Sequence, residues 1–198
     1  PTPALFVELL NTVRTKDKEK IAAFLAAHPE ATRQKAWLMS HPVPASYAGV
    51  DYFGVHAFTF TNADGKTQLV KYKAVPDAGE LVLTAEEAKA KGADFLKPEM
   101  EERLAKGPVS FELQAILGKE GDQTADPTLR WDDEDNRPVA KLGEITIEKI
   151  APDQTCDVFT FLPANLVDGI AGPADDPVFA IRSPAYAVSF ARRTTPAQ

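Results

Sequence analysis

The residues best equipped for chemistry lie near the end of the chain: Asp176, Arg182, Tyr186 and Arg193. Read as a helix, this stretch puts Arg182 and Tyr186 four residues apart, on one face. Arg193 lies seven residues beyond Tyr186, two turns on, and returns to that face. One face therefore carries a phenol flanked by two guanidiniums. A guanidinium beside a phenol favours the phenolate, which is a hard anionic ligand. Asp176 can accept from the free N–H groups of the first turn, and Pro177 stands where a missing N–H costs nothing. Pro184 falls between the two key residues and removes one helical bond. It predicts either a restart capped by Ser183 or a bend. An Arg-x-x-x-Tyr pair alone is common on helix surfaces, so its meaning depends on the elements that position it.

Those elements follow a clear order. Leu5, Leu9, Leu10 and Val13 recur at helical spacing over residues 3–13, and two further short helices are predicted over 21–27 and 30–40. From Tyr52 the period changes to two, with His56, Phe58 and Phe60 on one strand face. Asn62, Ala63, Asp64 and Gly65 form a turn signal, and a second strand returns from Thr67. Thr84 and Glu87 form a capping box, and residues 99–106 predict another helix. Strands are predicted over 110–117 and 144–150, separated by an acidic loop over 119–138 that Trp131 anchors. Residues 157–162 read as a further short extended piece. Strands grouped between runs of helices indicate an α+β fold with an antiparallel sheet.

Composition narrows the classes of partner. The chain has 198 residues, 44% hydrophobic and 26% charged, enough for one domain with a sizeable core. A net charge of -7 argues against a nucleic-acid backbone or an anionic membrane as partner. No apolar run is long enough to span a bilayer. The first residue is Pro1 rather than Met, which leaves the compartment open, cytoplasmic or periplasmic. The single cysteine, Cys156, excludes an intramolecular disulfide and reads as a small buried hydrophobe. The three histidines, His28, His41 and His56, have no metal-site spacing.

Several spaced phrases together carry a resemblance. Arg182-Ser183-Pro184-Ala185-Tyr186, with Asp176 six residues before and Arg193 seven after, resembles the proximal haem helix of catalases. The wording is most similar to the small catalase-related haem peroxidases. The hairpin phrase Phe53-Gly54-Val55-His56-Ala57-Phe58, turning at Asn62-Ala63-Asp64-Gly65, is similar to a catalase strand pair. The phrase Phe161-Leu162-Pro163-Ala164-Asn165 through Gly169 looks like the wrapping segment before the family's proximal helix. The phrases occur in family order from about Pro3 to Arg193.

The resemblance implies a catalase-like fold, with an incomplete antiparallel β-barrel, flanking helices and a C-terminal proximal haem helix. It implies haem b as cofactor, with Tyr186 as axial ligand of the iron. Arg182 would hold the phenolate ionised, His56 would orient Arg182, Asp176 would balance that cation, and Arg193 would pair with a haem propionate. It further implies reduction of hydrogen peroxide or small organic peroxides, a small electron donor, and a homo-oligomer. Neither His28 nor His41 sits in a context like the family's distal histidine. Residues 1–198 are therefore expected to be a single catalase-like domain portion lacking the N-terminal distal part, associating with that half and weakly active or inactive alone. The alternative is a non-catalytic haem-binding or interaction module.

Overall fold

A computed structural model describes residues 2–195. Three helices open the chain: α1 (Pro3–Arg14), α2 (Lys18–Ala27) and α3 (Arg33–Ser40), the last preceded by a 3-10 turn. Each of the first two starts on a side-chain cap. The Thr2 hydroxyl accepts from the Leu5 N–H at 3.3 Å, and the Asp17 carboxylate accepts from the N–H groups of Glu19 and Lys20. Strands β1 (Tyr52–Phe53), β2 (Phe58–Thr61) and β3 (Thr67–Pro76) follow. Then come α4 (Ala85–Ala90), α5 (Leu96–Leu104), β4 (Val109–Leu117) and β5 (Val139–Ile147). A short α6 (Asp153–Asp157), β6 (Ile170–Ala171) and the long α7 (Pro177–Thr194) end it. The expected α+β class and capping box are present: Thr84 and Glu87 exchange reciprocal bonds at the start of α4.

All strand pairs are antiparallel, in the order β5-β4-β3-β2-β6, with β1 also paired to β3. The β2–β3 hairpin turns where the Asn-Ala-Asp-Gly phrase predicts. Asn62 Oδ1 accepts from the N–H groups of Asp64 and Lys66, and Gly65 adopts a φ of 76°, a conformation open to glycine at little cost.

The strand read as continuous from Tyr52 is broken. Phe53 faces Lys73 but Phe58 faces Val70, so five steps along one strand match three along the other. Two extra residues are thus accommodated: Gly54 still donates its N–H to Tyr72 O at 2.7 Å, and residues 55–57 leave the ladder as an irregular bulge. His56 sits on that bulge. The last strand also differs from expectation: β5 begins at Val139, earlier than residue 144. Residues 157–162 form no strand. Helix α6 and turns occupy this stretch, with the Phe159 N–H bonded to Cys156 O at 3.0 Å. Val158, Phe159 and Phe161 are exposed there, and Cys156 is exposed rather than buried. The apolar alternation of this stretch finds no neighbouring strand to bond to.

The sheet is covered on both faces by different means. On one face Phe58, Val70 and Ala115 are buried, with Tyr72, Leu117, Ile170 and Phe179 of α7 packed against them. On the other, Ala57, Leu69 and Ile116 lie under Trp131, which the acidic β4–β5 loop lowers onto the sheet. The Trp131 indole N–H donates to Gln123 O at 2.9 Å, and Lys71 Nζ stands 4.7 Å from its ring centre. Lys71 bonds Glu134 at 2.9 Å and Leu129 O at 3.1 Å, while Arg137 forms a forked pair with Asp122. The anchoring role expected of Trp131 is therefore part of a wider ionic clamp on the loop. Among the described residues no helix is long and apolar enough to cross a membrane.

Candidate functional site

Helix α7 begins on Asp176, as its sequence predicts. Asp176 Oδ1 accepts from the N–H groups of Val178 (2.8 Å) and Phe179 (3.0 Å), with Pro177 in the first turn. The other oxygen, Oδ2, lies 2.6 Å from His56 Nδ1. Both side chains are almost fully enclosed, at 1% and 4% exposure, which leaves them to satisfy one another. An ionised carboxylate only accepts, so Nδ1 carries the proton and the imidazole tautomer is set by Asp176.

The helix runs on through Pro184 without a restart. One turn of backbone bonding is weakened there, because Pro184 has no N–H to offer the Ala180 carbonyl. The Arg182–Tyr186 spacing survives. Arg182 Nε donates to the Tyr186 hydroxyl oxygen at 3.0 Å, and Nη2 of the same guanidinium reaches the same oxygen. The guanidinium carbon stands 5.1 Å from the ring centre. Arg193, two turns on, is exposed and donates to the Phe159 carbonyl at 3.3 Å, tying the segment after α6 to α7.

The polar groups therefore form two pairs along one helix. Among the described residues no hydrogen bond joins Arg182 to His56 or to Asp176. Two residues that spacing did not single out link the first pair to the sheet. Phe179 presents its ring edge-on to His56 at 5.2 Å and to Phe58 at 5.8 Å. Gly172 lies against the Phe179 ring so closely that a Cβ would overlap Cε1 and Cζ. The available signal was Phe179 three residues after a helix cap; the Gly172 contact had none.

The chain matches the Catalase family over residues 3–197. It belongs to the catalase family. A catalase-related peroxidase of Synechococcus elongatus is 38% identical over 185 residues, covering 92% of this chain and 54% of the relative. Another, of Mycolicibacterium paratuberculosis, is 35% identical over 200 residues, covering 98% of this chain and 62% of the relative. The chain thus spans little more than half the length of these relatives. Among solved structures, a fungal catalase superposes with a TM-score of 0.80 at 23% identity, over 98% of this chain and 43% of that one. A bacterial catalase does so at 0.75 and 22%, over 90% and 37%. The fold is accordingly the catalase fold: an open antiparallel half-barrel with flanking helices, the incomplete barrel the resemblance implied.

The donor set can be tested against the haem that this family implies. Of the four tyrosines, Tyr52 and Tyr72 are pushed up by burial and remain neutral phenols. The Tyr52 hydroxyl donates to Tyr47 O at 2.8 Å. The Tyr186 oxygen instead receives two N–H groups from one cation, and among the described residues it donates to no protein acceptor. That oxygen faces a cation rather than a neutral carbonyl. Tyr186 is half-buried, and Ile181, Val188 and Phe190 of the same helix are exposed apolar side chains. The residues fit an iron porphyrin held through Tyr186. Grooves between α1 and α2 (Val7, Asn11, Phe24) and at the β2–β6 corner (Asn62, Asp168) do not include it.

Proposed function

We propose that this chain forms the proximal, haem-holding side of a peroxide-reducing enzyme of the catalase family. Tyr186 would hold the iron of a ferric haem b through its phenol oxygen. The carrying observation is the fork from Arg182 to a single phenol oxygen. Two N–H groups of a permanent cation converge on that oxygen and fix its position and orientation on a half-buried surface. Arg193, on the same face two turns away and bonded to the Phe159 carbonyl, would pair with a propionate of that haem. A guanidinium gains more from a carboxylate than from a neutral carbonyl. Asp176 and His56 hold the start of the helix against the sheet and so fix where Tyr186 stands.

When bound, the haem iron supplies the redox chemistry that cleaves a peroxide O–O bond. The substrates are hydrogen peroxide or small organic peroxides, with a small electron donor to complete the cycle. Ferric haem added to the chain should give the absorption of a ferric tyrosinate complex, and Tyr186→Phe should lose it while keeping the fold. A second reading, haem binding or partner docking without turnover, is favoured by α7 itself, none of whose residues is fully buried. Peroxide consumption by the haem-loaded protein separates the two, and identical haem spectra for wild type and Tyr186→Phe would overturn the ligand assignment.

A further inference from the structure

We infer that Phe179 and Gly172 are the positioning pair of the proximal site: the Phe179 ring, seated on the bare backbone of Gly172, fixes the imidazole of His56 in the plane from which it bonds Asp176. The functional meaning of this pair rests on the haem-ligand reading of Tyr186, whereas the geometry stands by itself.

His56 lies on the bulge between β1 and β2, where no ladder bond holds its backbone in register. One specific polar contact, Asp176 Oδ2, fixes one edge of its ring. A single hydrogen bond leaves an imidazole free to pivot about the bond axis, so a second contact must set the ring plane. The Phe179 ring supplies it, edge-on at 5.2 Å with the planes 77° apart. The same ring is itself held edge-on by Phe58 at 5.8 Å and 83°, and Phe58 is buried in the sheet core. The remaining side of Phe179 is closed by Gly172, which directly follows β6. A Cβ there would overlap the ring at Cε1 and Cζ, so any other residue would displace it.

The arrangement also closes a loop through the helix cap. The backbone N–H of Phe179 donates to Asp176 Oδ1, while its ring holds the partner of Asp176 Oδ2. One residue thus sets both ends of the Asp176 carboxylate. A change in Phe179 reaches Tyr186 through the direction in which α7 leaves the sheet.

The test needs no haem for its main readout. With three histidines in the chain, the His56 imidazole signals are assigned by comparison with His56→Gln. In Phe179→Leu the ring contact is lost, and solvent exchange of the His56 Nδ1 proton should rise about two- to tenfold, the scale of an aromatic edge contact. Phe179→Met serves as the second variant if leucine unfolds the chain. Gly172→Ala should perturb the same signals in the wild-type background. In the Phe179→Leu background it should add nothing, because leucine lacks the ring atoms that the new Cβ meets. Unchanged His56 exchange in Phe179→Leu, or an equal Gly172→Ala effect in both backgrounds, would overturn the inference. Ferric haem titration runs in parallel with Tyr186→Phe. A failure of that variant to lose the tyrosinate spectrum rejects the ligand reading alone and leaves the His56 result to be judged separately.

Discussion

The Asp176 carboxylate joins a helix to a sheet: one oxygen caps α7, and the other lies 2.6 Å from His56, which is 120 residues earlier in the chain. Two tasks with different chemical requirements therefore fall on one side chain. Capping needs only a short acceptor, which asparagine also provides. Bonding the proton of a buried imidazole is strongest with a charged acceptor.

Substitution at Asp176 separates the tasks. Asp176→Asn keeps the cap and a neutral acceptor, and should cost about 1–2 kcal/mol of unfolding free energy. Asp176→Ala loses both and strands a buried donor, with an expected cost of about 3–5 kcal/mol. Urea unfolding of the two variants reads the difference directly, and equal costs would mean that the cap and a neutral acceptor for His56 together contribute nothing.

The Arg182 fork predicts a difference between two cations. Arg182→Lys keeps the positive charge but offers a compact ammonium in place of the two-pronged guanidinium. Ferric haem affinity of the chain should fall about tenfold, the scale of one charge-assisted hydrogen bond. Arg182→Ala should lower it further, and the stability of the chain without haem should move by less than about 0.5 kcal/mol in either variant. Haem affinity that is indifferent to both changes would detach Arg182 from the ligand.

Acid stability should be governed by the loop clamp. Hydrogen bonds from Arg137 hold the Asp122 carboxyl below its ordinary value of 3.8. Burial alone would push Glu134 up, but the hydrogen bonds from Lys71 and from the Trp131 N–H outweigh it, and the carboxyl lies below its ordinary 4.5. Both groups are more acidic folded than unfolded. Their stabilisation is complete above those ordinary values and is lost as pH falls through the lower folded ones. Unfolding free energy should therefore drop below about pH 4, and Asp122→Asn should flatten that limb. A variant with the same acid profile as wild type would show that the clamp does not couple to folding.

Trp131 reports on the same loop. It is buried, whereas Trp37, the second of two tryptophans, is exposed and stacked on His41. Trp131→Ala should cost about 3–5 kcal/mol, as for other large aromatic truncations in a core. Trp37→Phe should leave the unfolding change in fluorescence nearly intact, so a signal that vanishes with Trp37 would place the reporter elsewhere.

Local features of this protein could be read without coordinates because they depend on residues a few steps apart. The i, i+4 relation of Arg182 and Tyr186, the caps at Asp176 and Thr84, and the turn at residues 62–65 all obey helical or strand periods that the chain carries in itself. Pro184 shows the limit of such reasoning. A proline predicts a break or bend from local sterics, yet α7 continues through it, held at its start by the buried Asp176. Residues 157–162 show the same limit for strands: alternation becomes a strand only when a neighbouring strand accepts its bonds.

The order of residue types thus determined the candidate ligand, its cation and the helix that presents them, since each contact lies within a turn or two of its partner. Tertiary structure alone decided that His56 belongs to Asp176, that Phe179 and Gly172 frame it, and that Lys71 and Glu134 close the acidic loop. The physical reason is register. His56 reaches α7 because two extra residues lift it out of the ladder with β3, and that misfit exists only once the strands have paired.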